Sequence, residues 1–103
     1  MKTTVVNIKK EEFDVYIGRS NSKYTSIWGN PFSHLEKSAA KFKVSSRKEA
    51  VEKYREWILT QPELLNKLED LRGKRLGCWC KPLECHGDVL VELLELKNRT
   101  SIF

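Results

Sequence analysis

Apolar and polar residues alternate in three short stretches of the chain, a pattern typical of β-strands. The first stretch, Thr3 to Ile8, is rich in β-branched residues, and the second, Phe13 to Ile17, follows a charged turn. We interpret these two as a hairpin or as two neighbouring strands. The third stretch, Lys74 to Cys80, places its cysteines on one face. We predict that it is a central strand.

Apolar residues recur at helical spacing in three other stretches. Ser46 and Glu49 form a capping box in front of the first, Pro62 suits the first position of a second, short helix, and a third helix is expected to begin near His86. The predicted apolar face of the first helix consists of Ala50, Val51, Tyr54, Trp57 and Ile58. Together the elements predict an α/β fold, a small Rossmann-like sheet with about three helices packed on it.

Residues 19–44 lack clear periodicity and are rich in Ser, Asn, Gly, Lys and aromatic residues. Connections longer than about 15 residues in a compact domain tend to be functional or mobile. A solvated linker has no use for aromatic side chains, so their presence favours a functional loop. They are Tyr24, Trp28, Phe32 and Phe42. We therefore expect a long loop over 19–44 that contributes to a binding site.

Length and charge narrow the class of protein. The 103 residues predict a single domain over 1–103. We expect a cytoplasmic location and no membrane partner, since no stretch approaches the roughly 18 apolar residues of a membrane helix and the first residues lack a signal-peptide pattern. Nineteen Lys and Arg against fourteen Asp and Glu give a net charge of +5, which favours phosphates or acidic partners. The basic residues form no dense stripe, so a small anionic ligand fits as well as a polymer.

The strongest local feature is the passage CWCKPLECHGD, residues 78–88, from the third strand into the last helix. In α/β sheets ligands bind beyond the carboxyl ends of strands, and the first N–H groups of a helix are unpaired donors. We predict an anion site there, in which Gly87 lets a phosphate approach the backbone and charge comes from Lys74, Arg75, Lys81 or protonated His86. Ordinary helix capping, with Gly87 and Asp88 simply starting the helix, is the alternative.

All three cysteines lie between Cys78 and Cys85, too close in sequence to staple distant parts of a fold, so we expect reduced thiols or metal ligands. A zinc set is available in Cys78, Cys80, Cys85 and His86. Its spacing lacks the C-x2-C knuckle of structural zinc sites. We therefore expect a protein without cofactors and keep zinc binding as the alternative. Cys78 and Cys80 also suit simple core packing. Cys85 should have a lowered pKa at a helix start, which makes Cys85, His86 and Asp88 candidate catalytic groups.

A second candidate region combines Gly18 and Arg19 with the segment WGNPF, residues 28–32. Trp28 and Phe32 around a Gly-Asn-Pro turn present flat surfaces for stacking a base, while Arg19 offers a planar fork for phosphate. The alternative is that the two aromatic residues pin a long loop to the core. Aromatic surfaces beside a basic group suit a nucleotide.

These segments also carry a resemblance. YIGR (16–19), WGNPF (28–32), AVEKY (50–54) and GCWC-x-P-x-x-CHGD (77–88) resemble an uncharacterised family of small domains in bacteriophages and bacteria, classed as a domain of unknown function. The resemblance spans nearly the whole chain. The turn into the Cys-His helix also looks like those of other Rossmann-like domains suspected of handling nucleotides or nucleic acids. A phage setting would suit a compact binder that captures a cyclic-nucleotide or ADP-ribose signal of host defence.

We therefore expect a protein that binds an anionic nucleotide-derived small molecule, of the ADP-ribose type or a cyclic nucleotide, and sequesters it, in the host cytoplasm if phage-encoded. The alternatives are an enzyme that acts on a nucleotide or nucleic acid through Cys85, His86 and Asp88, and a zinc-stabilised interaction module. Homo-oligomerisation and a nucleic-acid partner stay open. The residues assigned to the ligand site are Gly18, Arg19, Trp28, Gly29, Asn30, Pro31, Phe32, Cys78, Trp79, Cys80, Cys85, His86, Gly87 and Asp88.

Overall fold

Two parallel sheets and three helices are present in the computed structural model, which describes residues 2–33 and 42–99. The strands are β1 (Thr4–Asn7), β2 (Val15–Tyr16), β3 (Phe32–Ser33), β4 (Phe42–Lys43) and β5 (Arg75–Cys78). The helices are α1 (Arg47–Ile58), α2 (Pro62–Asn66) and α3 (His86–Arg99), and a 3-10 turn (Leu68–Leu71) follows α2. The predicted α/β fold, with a small parallel sheet and three helices, is confirmed.

β5 is the middle strand of the main sheet, whose order is β1-β5-β2 with every pair parallel. Leu76, Gly77 and Cys78 are all buried, as expected of a strand covered on both faces. The central strand predicted from the sequence is therefore confirmed. The predicted hairpin or neighbouring pair is wrong, because β1 and β2 bond to opposite edges of β5. β1 and β2 each form a parallel ladder with the buried strand β5 and do not pair with each other.

The two faces of β5 are packed differently. Leu76 and Cys78 belong to the main hydrophobic core, which they share with residues of α1 and α3. Gly77 points to the other face, where a Cβ would lie 2.7 Å from the ring of Phe13 and 2.6 Å from Ile8. A side chain at this position would therefore displace the residues that cover the outer face of the sheet.

α1 begins as the capping box predicts. Ser46 Oγ accepts from the N–H of Glu49 at 3.1 Å, and Glu49 Oε1 accepts from the N–H of Ser45 at 2.8 Å, one residue earlier than a standard box. The predicted face is buried at Ala50, Val51, Tyr54 and Ile58, and Trp57 is partly buried. Pro62 occupies the first position of α2, as predicted.

The predicted loop over 19–44 contains two short strands. Phe32 pairs with Phe42 and Ser33 with Lys43, in parallel. Residues 34–41 of that loop lie outside the described residues. No helix within the described ranges is long and apolar enough to cross a membrane.

Candidate functional site

A cavity of about 370 Å³ opens beyond the carboxyl ends of β2 and β5, the usual position for ligands in parallel α/β sheets. Its volume lies in the range of small-molecule sites, roughly 300–1,000 Å³. Three parts of the chain line it: the segments that follow β2, the first turns of α1, and the stretch from the end of β5 to the start of α3. The two regions singled out in the sequence therefore meet at one cavity.

The predicted site residues divide into two groups. Those that line the cavity are Arg19, Asn30, Phe32, Cys78, Trp79, Cys80, Cys85 and His86. Those that lie outside its lining are Gly18, Trp28, Gly29, Pro31, Gly87 and Asp88. Five further residues line the cavity that were not predicted from the sequence, namely Arg47, Ala50, Val51, Leu83 and Glu84.

Arg19 is fixed against the WGNPF segment. Its Nη1 donates to the carbonyl oxygen of Asn30 at 2.8 Å. Gly29 allows this approach, because a Cβ there would lie 2.9 Å from Cα of Arg19. Asn30 in turn donates from Nδ2 to the carbonyl of Ala50 at 3.1 Å, and its Oδ1 accepts from the N–H of Phe32 at 2.9 Å. Asn30 therefore ties the segment to both Arg19 and α1.

Trp28 packs into the core and does not face the cavity. Its side chain is only 4% exposed, and its carbonyl oxygen accepts from the hydroxyl of Tyr54 at 2.9 Å. The sequence left Trp28 two roles, stacking on a base or pinning the loop. Its position is that of a residue that pins the loop to α1.

Trp79 is the exposed aromatic residue beside the cavity, with 46% of its surface accessible. Its indole N–H donates to the hydroxyl of Tyr16 at 3.0 Å, and that hydroxyl donates to the carbonyl of Arg19 at 2.8 Å. Gly18 leaves room for this hydroxyl, because a Cβ would lie 2.3 Å from it. Tyr16 thus orients both the aromatic and the basic side of the cavity, a role that its alternating strand pattern did not reveal.

The start of α3 is capped by its own neighbours. Asp88 accepts from the N–H of Cys85 at 3.1 Å and from the ammonium of Lys81 at 2.6 Å. The N–H of Gly87 donates to the sulfur of Cys85 at 3.3 Å. A Cβ on Gly87 would lie 2.7 Å from Ile17, so this glycine serves the close packing of α3 on the sheet. These contacts match the capping alternative, and the backbone of Gly87 does not face the cavity.

His86 is buried and anchored to the sheet. Its Nε2 lies 2.6 Å from the carbonyl oxygen of Ile17, so Nε2 carries the proton and donates. Burial lowers the pKa of His86 from its usual 6.5 to about 4, against the effect of the Ile17 carbonyl, and the charge of Arg19 acts in the same direction as burial. The expectation that a protonated His86 supplies charge near neutral pH is therefore wrong.

Cys78 and Cys85 form a thiol pair on the cavity floor, with their sulfurs 3.3 Å apart. The hydrogen bond with Cys85 lowers the pKa of Cys78, against the effect of burial and with help from the backbone N–H groups of Lys81 and Cys80. The same bond and burial raise the pKa of Cys85. The lowered pKa predicted for Cys85 is therefore wrong. Its sulfur lies near the capping carboxylate of Asp88, which also raises the pKa.

The zinc alternative depends on how the possible ligand side chains are arranged. Within residues 2–33 and 42–99, no three His, Cys, Asp or Glu side chains are arranged to hold a metal ion. All four residues of the proposed zinc set lie in this part of the chain. Cys78 and Cys85 face each other, while Nε2 of His86 is engaged with Ile17.

The charged lining of the cavity is mainly basic. Arg19 and Arg47 contribute guanidinium groups, and Glu84 contributes one carboxylate. Arg47 is the first residue of α1, a position where the helix dipole disfavours a cation. That mismatch was a signal in the sequence, since a basic residue directly after a cap suggests a role other than helix stability. The cavity therefore suits an anionic ligand.

The fold and the cavity define a small α/β protein with a basic, partly aromatic site at the carboxyl edge of its parallel sheet. The chain belongs to the family described as a domain of unknown function, DUF4326, whose model matches residues 2–96. It is 37% identical over 94 residues to an uncharacterized 12.4 kDa protein in the nrdA-td intergenic region of Enterobacteria phage T4, with 87% of this chain and 75% of that protein covered. No solved structure matches it. The predicted membership of an uncharacterised phage and bacterial family is confirmed.

Proposed function

We propose that the protein binds an anionic, nucleotide-derived small molecule, of the ADP-ribose type or a cyclic nucleotide, in the cavity beyond β2 and β5. The observation that carries this proposal is the convergence of two arginines and an exposed tryptophan on one concave site. Sites of this kind combine apolar walls with a few polar groups that fix orientation.

The phosphate end of the ligand is assigned to Arg19 and Arg47. The guanidinium group offers five N–H donors in a planar fork that matches phosphate oxygens. The bond from Arg19 to the carbonyl of Asn30 uses Nη1 and fixes the position of the group. Arg47 stands at the N-terminus of α1, where unpaired N–H groups and the helix dipole add positive potential. Arg19 and the start of α1 thus both favour negative charge in the cavity.

The base is assigned to the side of the cavity that holds Trp79. An indole ring that is 46% exposed and held by Tyr16 presents a preset flat surface for stacking. Leu83, which is 55% exposed, extends the apolar surface of the lining. The carboxylate of Glu84 would repel a phosphate but accepts hydrogen bonds from ribose hydroxyls. This distribution suits a ligand with distinct charged and aromatic ends.

Binding without turnover is the form of the function that we propose. The three candidate catalytic groups each have a structural partner: Cys85 pairs with Cys78, His86 bonds the sheet backbone, and Asp88 caps α3. The phage T4 relative supports a phage setting. In that setting a protein that holds a nucleotide without consuming it would sequester a host defence signal.

Isothermal titration calorimetry against ADP-ribose derivatives and cyclic oligonucleotides tests the proposal. We expect saturable heat with at least one of these ligands, and chromatography after long incubation should recover that ligand unchanged. An absence of heat with every ligand would overturn the binding proposal. Recovery of a cleaved or transferred product would instead favour the enzyme alternative.

A further inference from the structure

We propose that Cys78 and Cys85 are a redox-active dithiol that closes to a disulfide when a hydroperoxide reaches the floor of the cavity. The proposal concerns the thiols alone and needs no nucleotide. Its outcome is therefore independent of the function proposed above.

The geometry of the pair carries the inference. The two sulfurs lie 3.3 Å apart, so they need to approach by roughly 1.3 Å to reach the S–S bond length of about 2.05 Å. One sulfur stands at the end of β5 and the other directly precedes α3. The joined residues are seven positions apart, so closing the bond requires a movement of the turn between them.

The surroundings of the two sulfurs differ in a way that suits thiol chemistry. The ammonium of Lys81, held by Asp88 at 2.6 Å, adds positive charge near the sulfur of Cys78. The carboxylate of Asp88 instead acts on Cys85. The lowered pKa of Cys78 and the raised pKa of Cys85 follow mainly from the hydrogen bond between the two sulfurs, and the charges of Lys81 and Asp88 act in the same directions. This arrangement favours the thiolate at Cys78 and the protonated thiol at Cys85.

The cavity gives an oxidant access to the two sulfurs. Cys78 is 1% and Cys85 is 2% exposed, yet both line the cavity. A hydroperoxide of the size of hydrogen peroxide is small enough for such a space. Cys80 is more exposed and lines the same cavity. It therefore shows how a cysteine of this cavity reacts when exposure alone determines its reactivity.

The reaction balances in two steps. The thiolate of Cys78 attacks one peroxide oxygen, the O–O bond breaks, a sulfenic acid forms, and the departing hydroxide is protonated to water. The sulfur of Cys85 then loses its proton and attacks the sulfur of Cys78, forming the S–S bond and breaking the S–O bond, and a second water leaves. The two thiols together lose two electrons, and the hydroperoxide gains these two electrons.

Peptide mapping of the wild-type protein after treatment with hydrogen peroxide tests the proposal. The folded protein is treated, quenched, alkylated and digested without reductant. We expect a peptide cross-linked between Cys78 and Cys85, alkylation of Cys80, and loss of the cross-link after dithiothreitol. A disulfide that contains Cys80, or alkylation of both Cys78 and Cys85 under conditions that oxidise Cys80, would overturn the proposal.

Two variants sharpen the result. Cys80→Ser is the matched control and should retain the cross-link. Cys85→Ser should lose it and accumulate a sulfenic acid on Cys78 that dimedone traps, because the resolving thiol is missing. If Cys85→Ser does not fold, the peptide map of the wild-type protein and of Cys80→Ser decides the question alone.

Discussion

The indole N–H of Trp79 donates to the hydroxyl of Tyr16 at 3.0 Å, and the same hydroxyl donates to the backbone carbonyl of Arg19 at 2.8 Å. This short chain of hydrogen bonds joins the end of β5 to the segment after β2. It fixes the position of Trp79, on the aromatic side of the cavity, relative to Arg19, on the basic side. Tyr16 therefore positions groups of the site without lining it.

Replacing Tyr16 with Phe should weaken ligand binding with little change in fold. The change removes the acceptor of Trp79 and the donor to the carbonyl of Arg19, each bond contributing about 1 kcal/mol, so we expect affinity to fall by roughly five-fold. Titration calorimetry measures this, and Trp79 fluorescence should shift toward that of a freely solvated indole. Tyr24→Phe, on the ring stacked 4.9 Å from Tyr16, is the control. Equal affinities of the two variants would contradict the positioning role.

Arg47→Gln should reduce affinity for the anionic ligand by roughly ten-fold or more, because a charge-assisted hydrogen bond contributes about 1.5–3 kcal/mol. Arg55→Gln is the matched control on the same helix. Arg55 lies outside the cavity lining and pairs with Glu52 and Glu92. Calorimetry at two salt concentrations measures both variants. The assignment of Arg47 to phosphate fails if the two variants bind equally well.

His86 should make stability fall as the solution becomes acidic. Its pKa is about 4 in the folded protein and 6.5 ordinarily, so between these values the unfolded chain binds the extra proton. Stability is therefore fully present above pH 6.5 and is lost as the pH falls through about 4. The shift corresponds to roughly 3 kcal/mol. Urea unfolding at several pH values should give a steeper decline for the wild type than for His86→Gln. Parallel curves would contradict the buried, neutral state of His86.

Gly87→Ala should destabilise the protein by roughly 1–3 kcal/mol, because the added methyl group overpacks the interface of α3 with the sheet. Its Cβ would lie 2.7 Å from Ile17 and 2.9 Å from Val5. Glu95→Ala, at an exposed position of the same helix, should change stability by less than about 0.5 kcal/mol. Urea unfolding measures both. A Gly87→Ala variant of unchanged stability and weaker ligand binding would restore the phosphate role predicted from the sequence.

Local patterns predicted the elements of this fold better than their pairing. The cap at Ser46 and the restart at Pro62 are set by neighbouring residues, and both predictions are confirmed. The placement of β5 between β1 and β2 depends on contacts across about 60 residues or more. Short alternating segments carry no signal that distinguishes a direct pair from two partners of a third strand.

The candidate site could be predicted only in part, because some of its contacts join residues that are distant in the sequence. The two candidate regions, residues 78–88 and Gly18 and Arg19 with residues 28–32, were predicted from their composition, and Arg19 and Trp79 line one cavity. The sequence left open whether Trp28 stacks on a base or turns into the core, and it carries no signal that the sulfur of Cys85 lies beside that of Cys78. These placements depend on the path of the turns before α1 and α3, which short-range spacing does not determine. The raised pKa of Cys85 was missed because short-range spacing shows neither its hydrogen bond with Cys78 nor its burial.

A crystal structure with the tightest-binding nucleotide tests the central claim most directly. We predict phosphate oxygens within hydrogen-bonding distance of Arg19 and Arg47, and the base stacked on Trp79. A nucleotide bound outside this cavity, with Arg47 turned away from it, would contradict the account.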